Sequence, residues 1–125
     1  MKGKVVIITG ASSGIGMSCA IEFAKQGAKL MLAARSEKKL CEISDKINSN
    51  GGNSSFVVTD VSIEKNCEKM VQKTISIFGQ IDILINNAGI SMRSIFKDLN
   101  LSVFKKVMQV NFWGTVYCTK YALPY

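Results

Sequence analysis

The chain has 125 residues, 47% of them hydrophobic, and its 16 Lys and Arg outnumber its 9 Asp and Glu to give a net charge of +7. This length and composition predict a single globular domain, residues 1–125, and exclude a disordered or low-complexity chain. No apolar run is long enough to span a bilayer, and residues 1–4 lead into a strand rather than a signal peptide, so we expect a cytoplasmic protein with no membrane partner.

The positive charge is scattered over the predicted helices and forms no single basic cluster. We interpret it as solvated helix faces and expect no nucleic-acid partner, although the charge would also favour a small phosphorylated ligand. The four cysteines are widely spaced and the chain has no histidine, so we expect no metal site. Buried reduced thiols are the favoured interpretation of the cysteines.

Strand-like and helix-like runs alternate along the chain, which is typical of βαβ units and a parallel sheet. The strands are nearly continuous in apolar residues, as strands covered on both faces must be. They are predicted at Lys4–Thr9, Lys29–Ala34, Ser55–Val58 and Ile81–Ile85.

Helices are predicted after each strand, with Ser36 and Ser62 as capping residues of the second and third. The first should bury a stripe made of Ile15, Cys19 and Phe23. The predicted helices run from about Gly14 to Gln26, Ser36 to Ser49, Ser62 to Phe78 and Leu101 to Ala122.

The last predicted helix carries apolar residues on more than one face, Phe104, Phe112 and Trp113 among them. A helix of this kind needs two surfaces to bury against. One would be its own sheet. The other would be further sequence or a second subunit, and we expect the intact form to be a homo-oligomer.

Right-handed crossovers predict a spatial strand order of 3-2-1-4, with the first two helices on one face and the third on the other. The fold expected is therefore an α/β, Rossmann-like, doubly wound parallel sheet, represented by its first four strands and ending before a fifth. The change in winding direction leaves a crevice at the carboxyl ends of strands one and four, where such sheets bind ligands.

A glycine-rich loop ends the first strand in this crevice. Gly10 would permit a tight turn, Gly14 would let a ligand approach the backbone, and Gly16 would let the helix pack close to the strand. The helix N-terminus that follows can receive a phosphate group. The strict G-x-G-x-x-G pattern is absent because Cys19 occupies its last position, and an ordinary glycine-rich turn is the alternative.

Arg35 follows the second strand, at the position where a dinucleotide-binding sheet usually places an acid that holds the ribose 2′-hydroxyl. A guanidinium at this position can bind a 2′-phosphate through charge-assisted hydrogen bonds. The sequence therefore favours NADP(H) over NAD(H) as cofactor. A solvent-facing arginine near a helix start is the competing interpretation.

The other two strands also end in polar groups at this edge of the sheet. Asp60 and Val61 follow strand three, where a contact to adenine is favoured and a turn or capping role for Asp60 is the alternative. Asn86 and Asn87 follow strand four, and amides in that position usually have specific partners. Ala88-Gly89 would keep the edge open for a flat ligand.

Together these residues resemble the classical branch of the short-chain dehydrogenase/reductase family. Thr9–Gly16 matches its T-G-x-x-x-G-x-G motif, and Asn86–Gly89 matches N-N-A-G. Asn111, within "MQVNFWGT", matches the asparagine that opens the family's Asn-Ser-Tyr-Lys tetrad. The resemblance covers essentially the whole chain and implies transfer of a hydride between a nicotinamide and an alcohol or carbonyl substrate.

The resemblance also implies a role for each matching residue. The cofactor phosphates and ribose would be surrounded by Gly10, Ser12, Ser13, Ile15 and Gly16. The 2′-phosphate would be bound by Arg35 and Ser36, and the adenine by Asp60 and Val61. The adenosine ribose and nearby backbone would be contacted by Asn87, Ala88 and Gly89. Asn111 is the one catalytic residue implied; it would distort its helix and hold a water molecule of a proton relay.

The family's serine and its Tyr-x-x-x-Lys have no counterpart in these residues. Tyr117 and Lys120 have the wrong spacing, so we interpret them as a core tyrosine and a surface lysine. Reduction of a carbonyl by hydride needs a proton donor, so the 125 residues alone are expected to be inactive. The main hypothesis is the amino-terminal half of an NADP(H)-dependent oxidoreductase; the alternative is a truncated, inactive protein that binds nucleotide or pairs with another subunit.

Overall fold

The computed structural model describes residues 1–125, and its four strands form one parallel sheet in the order β3-β2-β1-β4. The predicted α/β doubly wound fold is confirmed, as is the strand order. The strands are β1 (Val5–Thr9), β2 (Lys29–Ala34), β3 (Asn53–Val58) and β4 (Ile83–Ile85).

The helices follow the strands as the alternating pattern predicts. The first three are α1 (Gly14–Lys25), α2 (Glu37–Ser49) and α3 (Glu64–Phe78). After β4 and a short 3₁₀ turn at Phe96–Asp98, the chain forms α4 (Leu101–Met108), a π-helical turn (Gln109–Trp113) and α5 (Gly114–Ala122).

Two apolar layers cover the sheet, one on each face. The first two helices pack on one face, where Ala20 of α1 and Leu40 of α2 meet Val6 and Leu30 of the sheet. The third and last helices pack on the other face, and there Met70 contacts the cluster that contains Ile7 and Met31. Since neighbouring residues of β1 are buried on opposite faces, the strand is apolar from Val5 to Ile8, as a central parallel strand must be.

Strand pairing aligns the carboxyl ends of the strands at one edge of the sheet. Val5 of β1 pairs with Lys29 of β2, and Val6 pairs with Ile83 of β4. On the other side of β2, Ala34 pairs with Val58 at the end of β3. The segments that follow the four strands therefore meet at this edge, as predicted.

Several predicted boundaries are wrong. β3 begins two residues earlier than expected, at Asn53, since the side chain of Asn48 accepts a hydrogen bond from the Ser54 N–H (2.8 Å) and holds the turn against the strand. β4 is limited to Ile83–Ile85, and the preceding Asp82 accepts a hydrogen bond from the Val5 N–H with its carboxylate. Ser62 does not cap α3. The capping position is Ile63, and the Ser62 hydroxyl instead donates to Asp60 Oδ1 (2.6 Å).

The buried stripe proposed for α1 is also only partly right. Cys19 and Phe23 pack against the core, but Ile15 is 76% exposed because the first turn of the helix extends beyond the layer that covers the sheet. Ser36 lies at the capping position of α2, as predicted, without a capping hydrogen bond from its side chain.

The cysteines are all free, but only two of the four are fully buried. Cys67 and Cys118 lie in the core between α3 and α5, where the neighbouring Cys67 thiol and burial raise the pKa of the Cys118 thiol. Cys41 is exposed on α2, so the expectation of a buried thiol is wrong there. None of the helices combines the length and the apolar character that crossing a bilayer requires.

Asp82 ties the amino end of β4 to that of β1. Its carboxylate accepts hydrogen bonds from Lys4 Nζ (2.7 Å), the Val5 N–H (2.8 Å) and Gln80 Nε2 (2.7 Å). The Lys4 ammonium, followed by the Val5 N–H and the Gln80 amide, lowers the pKa of Asp82 to about 2.

We predict that Asp82→Asn destabilises the fold at neutral pH and has progressively less effect in acid. Because the pKa of Asp82 is lower in the folded chain than in the unfolded chain, its contribution is complete above about pH 4 and is lost as the pH falls towards about 2. The measurement is the urea midpoint of the two forms from pH 7 to pH 2. Asp98→Asn is the control, and a gap between wild type and Asp82→Asn that stays constant over this range would contradict the prediction.

Candidate functional site

Three glycines, Gly10, Gly14 and Gly16, determine the shape of the loop between β1 and α1. Gly10 and Gly14 have φ angles of 67° and 54°, in the left-handed region that favours glycine. A Cβ at Gly16 would overlap the carbonyl oxygen of Gly10 and lie 2.5 Å from Asn87 Nδ2. Gly16 therefore lets the first turn of α1 sit directly on the end of β1, whereas a Cβ at Gly14 would meet only open space.

The amino end of α1 opens onto the crevice with its backbone donors available. Ser13 occupies the capping position in an extended conformation, and its side chain makes no capping hydrogen bond. The first N–H groups of a helix have no partner within the helix, and they lie at the positive end of the helix dipole. This turn therefore offers hydrogen-bond donors to an anion.

Thr9 and Asn87 join the carboxyl ends of β1 and β4. The Thr9 hydroxyl donates to the Ile85 carbonyl (3.2 Å) and accepts from the N–H groups of Asn87 and Ala88 (both 3.0 Å). The Asn87 side chain donates to the carbonyls of Thr9 (2.9 Å) and Gly10 (3.3 Å). The Asn87 amide thus has the specific partners expected of it, and they are backbone carbonyls of β1 and of the loop that follows.

Arg35 and Ser36 lie at the end of β2, beside the glycine-rich loop. Both line the same cavity as Gly14, and so does Lys39 in the first turn of α2. Neither basic side chain takes part in an ion pair of the fold. Two unpaired cations therefore face this side of the cavity.

Asp60 and Val61 follow β3, the strand next to β2, and line the same cavity. Asp60 Oδ1 accepts hydrogen bonds from the Ser62 N–H (3.0 Å) and the Ser62 hydroxyl (2.6 Å), so the turn role given as the alternative is present. Val61 is buried against Gly114, where a Cβ would lie 2.8 Å from Val61 Cγ2. A contact from either residue to adenine stays a prediction.

A cavity of about 500 Å³ brings these residues together at the carboxyl edge of the sheet. It is lined by every predicted cofactor-binding residue except Gly16, which is packed beneath the loop. The predicted residues in its wall are Gly10, Ser12, Ser13, Ile15, Arg35, Ser36, Asp60, Val61, Asn87, Ala88 and Gly89.

Sequence reasoning missed several residues of this wall. The additional lining residues are Ala34, Lys39, Thr59, Ile90 and Val110, whereas Gly14 lines the cavity as expected of a glycine that lets a ligand approach the backbone. In the sequence, Lys39 resembles the other lysines of the helix faces, and only its place in the first turn after Arg35 distinguishes it. Thr9 does not line the cavity but supports it; its position at the end of a buried strand is the sequence signal for that role.

Asn111 lies in the π-helical turn between α4 and α5, so the helix is distorted where the resemblance implied. Its side-chain oxygen accepts from the Ile90 N–H (2.9 Å), and its Nδ2 donates to the Ile90 carbonyl (2.8 Å). Asn111 therefore holds the segment after β4 against the helix. It does not line the cavity, and its role in holding a relay water stays a prediction.

Glu64 couples the start of α3 to the end of α5. Its Oε1 accepts from Lys120 Nζ and from the Tyr121 hydroxyl (both 2.9 Å), and these two hydrogen bonds lower the pKa of Glu64. Lys120 is exposed, whereas Tyr117 packs against the core. The interpretation of Tyr117 and Lys120 as a core tyrosine and a surface lysine is therefore confirmed.

A match to a family model shows to which protein family the chain belongs. The model of the short chain dehydrogenases matches residues 4–125. The chain belongs to the short-chain dehydrogenase family. Its fold is also that of a Sinorhizobium meliloti protein assigned as a short-chain alcohol dehydrogenase, with a TM-score of 0.92 and 29% identity over 98% of this chain and 48% of the other.

Curated members of the short-chain dehydrogenase family are similar over the whole of this chain. An 11-beta-hydroxysteroid dehydrogenase A of Sesamum indicum is 47% identical over 98% of this chain and 36% of its own length. An 11-beta-hydroxysteroid dehydrogenase-like 4A of Arabidopsis thaliana is 46% identical over 100% of this chain and 42% of its own length. The chain thus spans well under half the length of these curated relatives.

We predict that Asn111→Ala frees the segment after β4 without unfolding the sheet. The substitution removes two hydrogen bonds to Ile90, each worth about 1 kcal/mol, so exchange of the Ile90 amide hydrogen should accelerate roughly 30-fold. The measurement is amide hydrogen exchange resolved to single residues.

Gln109→Ala is the matched control for this substitution. Gln109 lies in the same π-helical turn, but its side chain donates to the Ser62 carbonyl and does not contact the segment after β4. Exchange at Ile90 should therefore be little changed in Gln109→Ala. Equal protection of Ile90 in wild type and Asn111→Ala would refute the assigned positioning role.

Proposed function

We propose that this chain is the cofactor-binding part of an NADP(H)-dependent oxidoreductase. In the intact protein, a bound nicotinamide would supply or accept a hydride, and the substrate would be a small-molecule secondary alcohol or ketone. The observation that carries the proposal is the cavity of about 500 Å³, which joins an uncapped helix N-terminus to two unpaired cations.

The shape of the cavity fits a dinucleotide because its floor has almost no side chains. A Cβ at Gly10 would lie 2.8 Å from Asn87 Nδ2 and 2.9 Å from the Ala88 Cα, so the backbone here is already in close contact on its inner side. Its outer side is open at Gly14, and Gly14 and Ile15 of the first turn of α1 line the cavity. A diphosphate would bind here, with Ser12 and Ser13 as further donors.

The charge of the cavity supports NADP(H) over NAD(H). Arg35 and Ser36 would bind the 2′-phosphate, since a guanidinium forms charge-assisted hydrogen bonds with phosphate oxygens. Asp60 and Val61 would face the adenine, and the loop of Asn87, Ala88 and Gly89 would contact the adenosine ribose. No carboxylate stands directly after β2, where NAD-binding sheets hold the 2′-hydroxyl.

The proton needed at the substrate oxygen would come from outside these residues. No Tyr-x-x-x-Lys is present among them, and Asn111 would contribute only by holding the relay water and the Ile90 segment. We therefore propose that the 125 residues bind the cofactor without turning over substrate. Several curated relatives bear the name hydroxysteroid dehydrogenase. Their names support the proposal that the substrate is an alcohol or ketone on an apolar framework.

A homo-oligomeric intact form is part of the proposal. Phe104, Phe112 and Trp113 are exposed on the last helical segments. Trp113 stacks on Tyr117 and contacts Phe112 edge-on. Large exposed apolar side chains in one region commonly mark an interface. The same observation favours the alternative of a protein that binds nucleotide and pairs with another subunit.

We predict that the intact protein oxidises NADPH with ketones and that a negative charge at Ser13 weakens NADPH binding and so lowers the rate at limiting NADPH. Ser13→Asp keeps a good capping residue but places a carboxylate beside the diphosphate, so NADPH affinity should fall about tenfold or more. Measurements are NADPH binding and the rate of NADPH oxidation with a panel of aliphatic, aromatic and steroid ketones.

Ser13→Asn is the matched control, because asparagine has the same shape as aspartate and a similar capping strength but no charge. It should bind NADPH within about threefold of wild type by the same reasoning. Absence of turnover with every ketone would contradict the oxidoreductase proposal. Equal NADPH binding by the Asp and Asn variants would contradict the placement of the diphosphate at α1.

The cofactor preference has its own test at Arg35. Arg35→Asp replaces the cation at the 2′-phosphate by an anion, so NADPH affinity should fall about 100-fold while NADH affinity changes less than about threefold. Affinities are measured by calorimetric titration with each nucleotide. Lys73→Asp makes the same charge change on α3, away from the cavity, and should change the affinity for either nucleotide little. Equal losses of NADPH and NADH affinity in Arg35→Asp would exclude Arg35 from the 2′-phosphate site.

A further inference from the structure

We propose that Lys39 is a second cationic contact for the 2′-phosphate, beside Arg35, and that it sets the strength of the preference for NADP(H). This inference rests on the proposed function, and it concerns a residue that neither the sequence motifs nor the glycine-rich loop includes. Lys39 lies in the first turn of α2 and lines the same cavity as Arg35 and Ser36.

The charges around the cavity favour a role for a second cation. The ionisable side chains in its wall are Arg35, Lys39 and Asp60. Without Lys39, the charges of one arginine and one aspartate would cancel, and the wall would have no net charge. A phosphate monoester carries about −1.5 to −2 charges at neutral pH, so a second cation in the same wall would strengthen its binding. Lys39 is the residue in place to supply it.

Lys39 has no other ionic partner in the fold. The four ion pairs use Lys4, Lys25, Lys65 and Lys120. The first turn of α2 contains Glu37, but this residue does not line the cavity. The Lys39 ammonium is therefore free to bind a ligand anion without giving up an existing pair.

The backbone around Lys39 points to the same ligand. Ser36 holds the capping position of α2, yet its side chain makes no capping hydrogen bond. Its hydroxyl and the first N–H groups of α2 therefore remain available beside the two cations. Arg35, Ser36 and Lys39 together offer a planar fork, a hydroxyl and a point charge, which are complementary to the oxygens of one phosphate group.

Lys38 provides a matched control within the same helical turn. It is exposed, as Lys39 is, and carries the same charge on the same helix, but it does not line the cavity. A general effect of the net charge on nucleotide binding would appear equally in variants of both lysines. A contact to the 2′-phosphate would appear only in variants of Lys39.

The test is calorimetric binding of adenosine 2′,5′-bisphosphate, adenosine 5′-monophosphate and NADH to the intact protein. Lys39→Gln should weaken the bisphosphate about tenfold, while Lys38→Gln should change it less than about twofold. The monophosphate and NADH should bind both variants as they bind wild type. Lys39→Arg should restore most of the bisphosphate affinity, since it keeps the charge.

The outcomes separate this inference from the proposed function. If wild type prefers the bisphosphate and Arg35→Asp removes that preference, but Lys39→Gln behaves as Lys38→Gln does, the role of Lys39 is overturned and the NADP(H) proposal stands. If wild type binds the bisphosphate no better than the monophosphate, the NADP(H) proposal fails and the role of Lys39 fails with it. Equal weakening of all three ligands in Lys39→Gln would also overturn the inference, because it would indicate a structural effect.

Discussion

The site depends on the contact between the first turn of α1 and the end of β1. Gly16 lies against the carbonyl of Gly10, and the Asn87 side chain donates to that same carbonyl from the end of β4. Any side chain at Gly16 would push the helix away from the strand. Because the contact is made by backbone and one amide, the helix N-terminus comes close to the sheet edge with no side chain between them, which is what a site for a bulky anion needs.

The remaining walls of the cavity are positioned by hydrogen bonds and packing that start from this contact. Thr9 accepts from two consecutive N–H groups after β4 and so fixes the direction in which that segment leaves the sheet. Asn111 then binds the backbone of Ile90 from the far side. A π-helical turn presents Asn111 in this direction, and such turns occur frequently at functional sites.

Much of this architecture could be predicted from the sequence because it follows from strong local patterns. Continuous apolar runs such as Val5–Ile8 identify buried parallel strands, and right-handed crossovers then fix their order. The glycine-rich loop and Arg35 could be placed at one edge because parallel strands end together. These features depend on residue type and chain order alone, and the structure confirms the order and the shared edge.

Other features depend on contacts that chain order does not reveal. Ile15 has the spacing of a buried helix residue, yet it lies beyond the layer that covers the sheet and is exposed in the cavity. Asp60 and Ser62 lie in the same turn, where the Ser62 hydroxyl donates to the Asp60 carboxylate. No periodic sequence pattern predicts this hydrogen bond, and Ile63 instead of Ser62 occupies the capping position of α3. Lys39 looks like any surface lysine until the cavity wall is known.

The most direct test of this account is a crystal structure of the intact protein grown with NADP⁺. The account predicts that the diphosphate lies at the amino end of α1, within hydrogen-bond distance of the N–H groups of Gly14–Gly16, with the adenosine extending towards Arg35. A dinucleotide bound elsewhere, or a diphosphate that makes no contact with this turn, would contradict the claim that the contact between Gly10 and Gly16 builds the cofactor site.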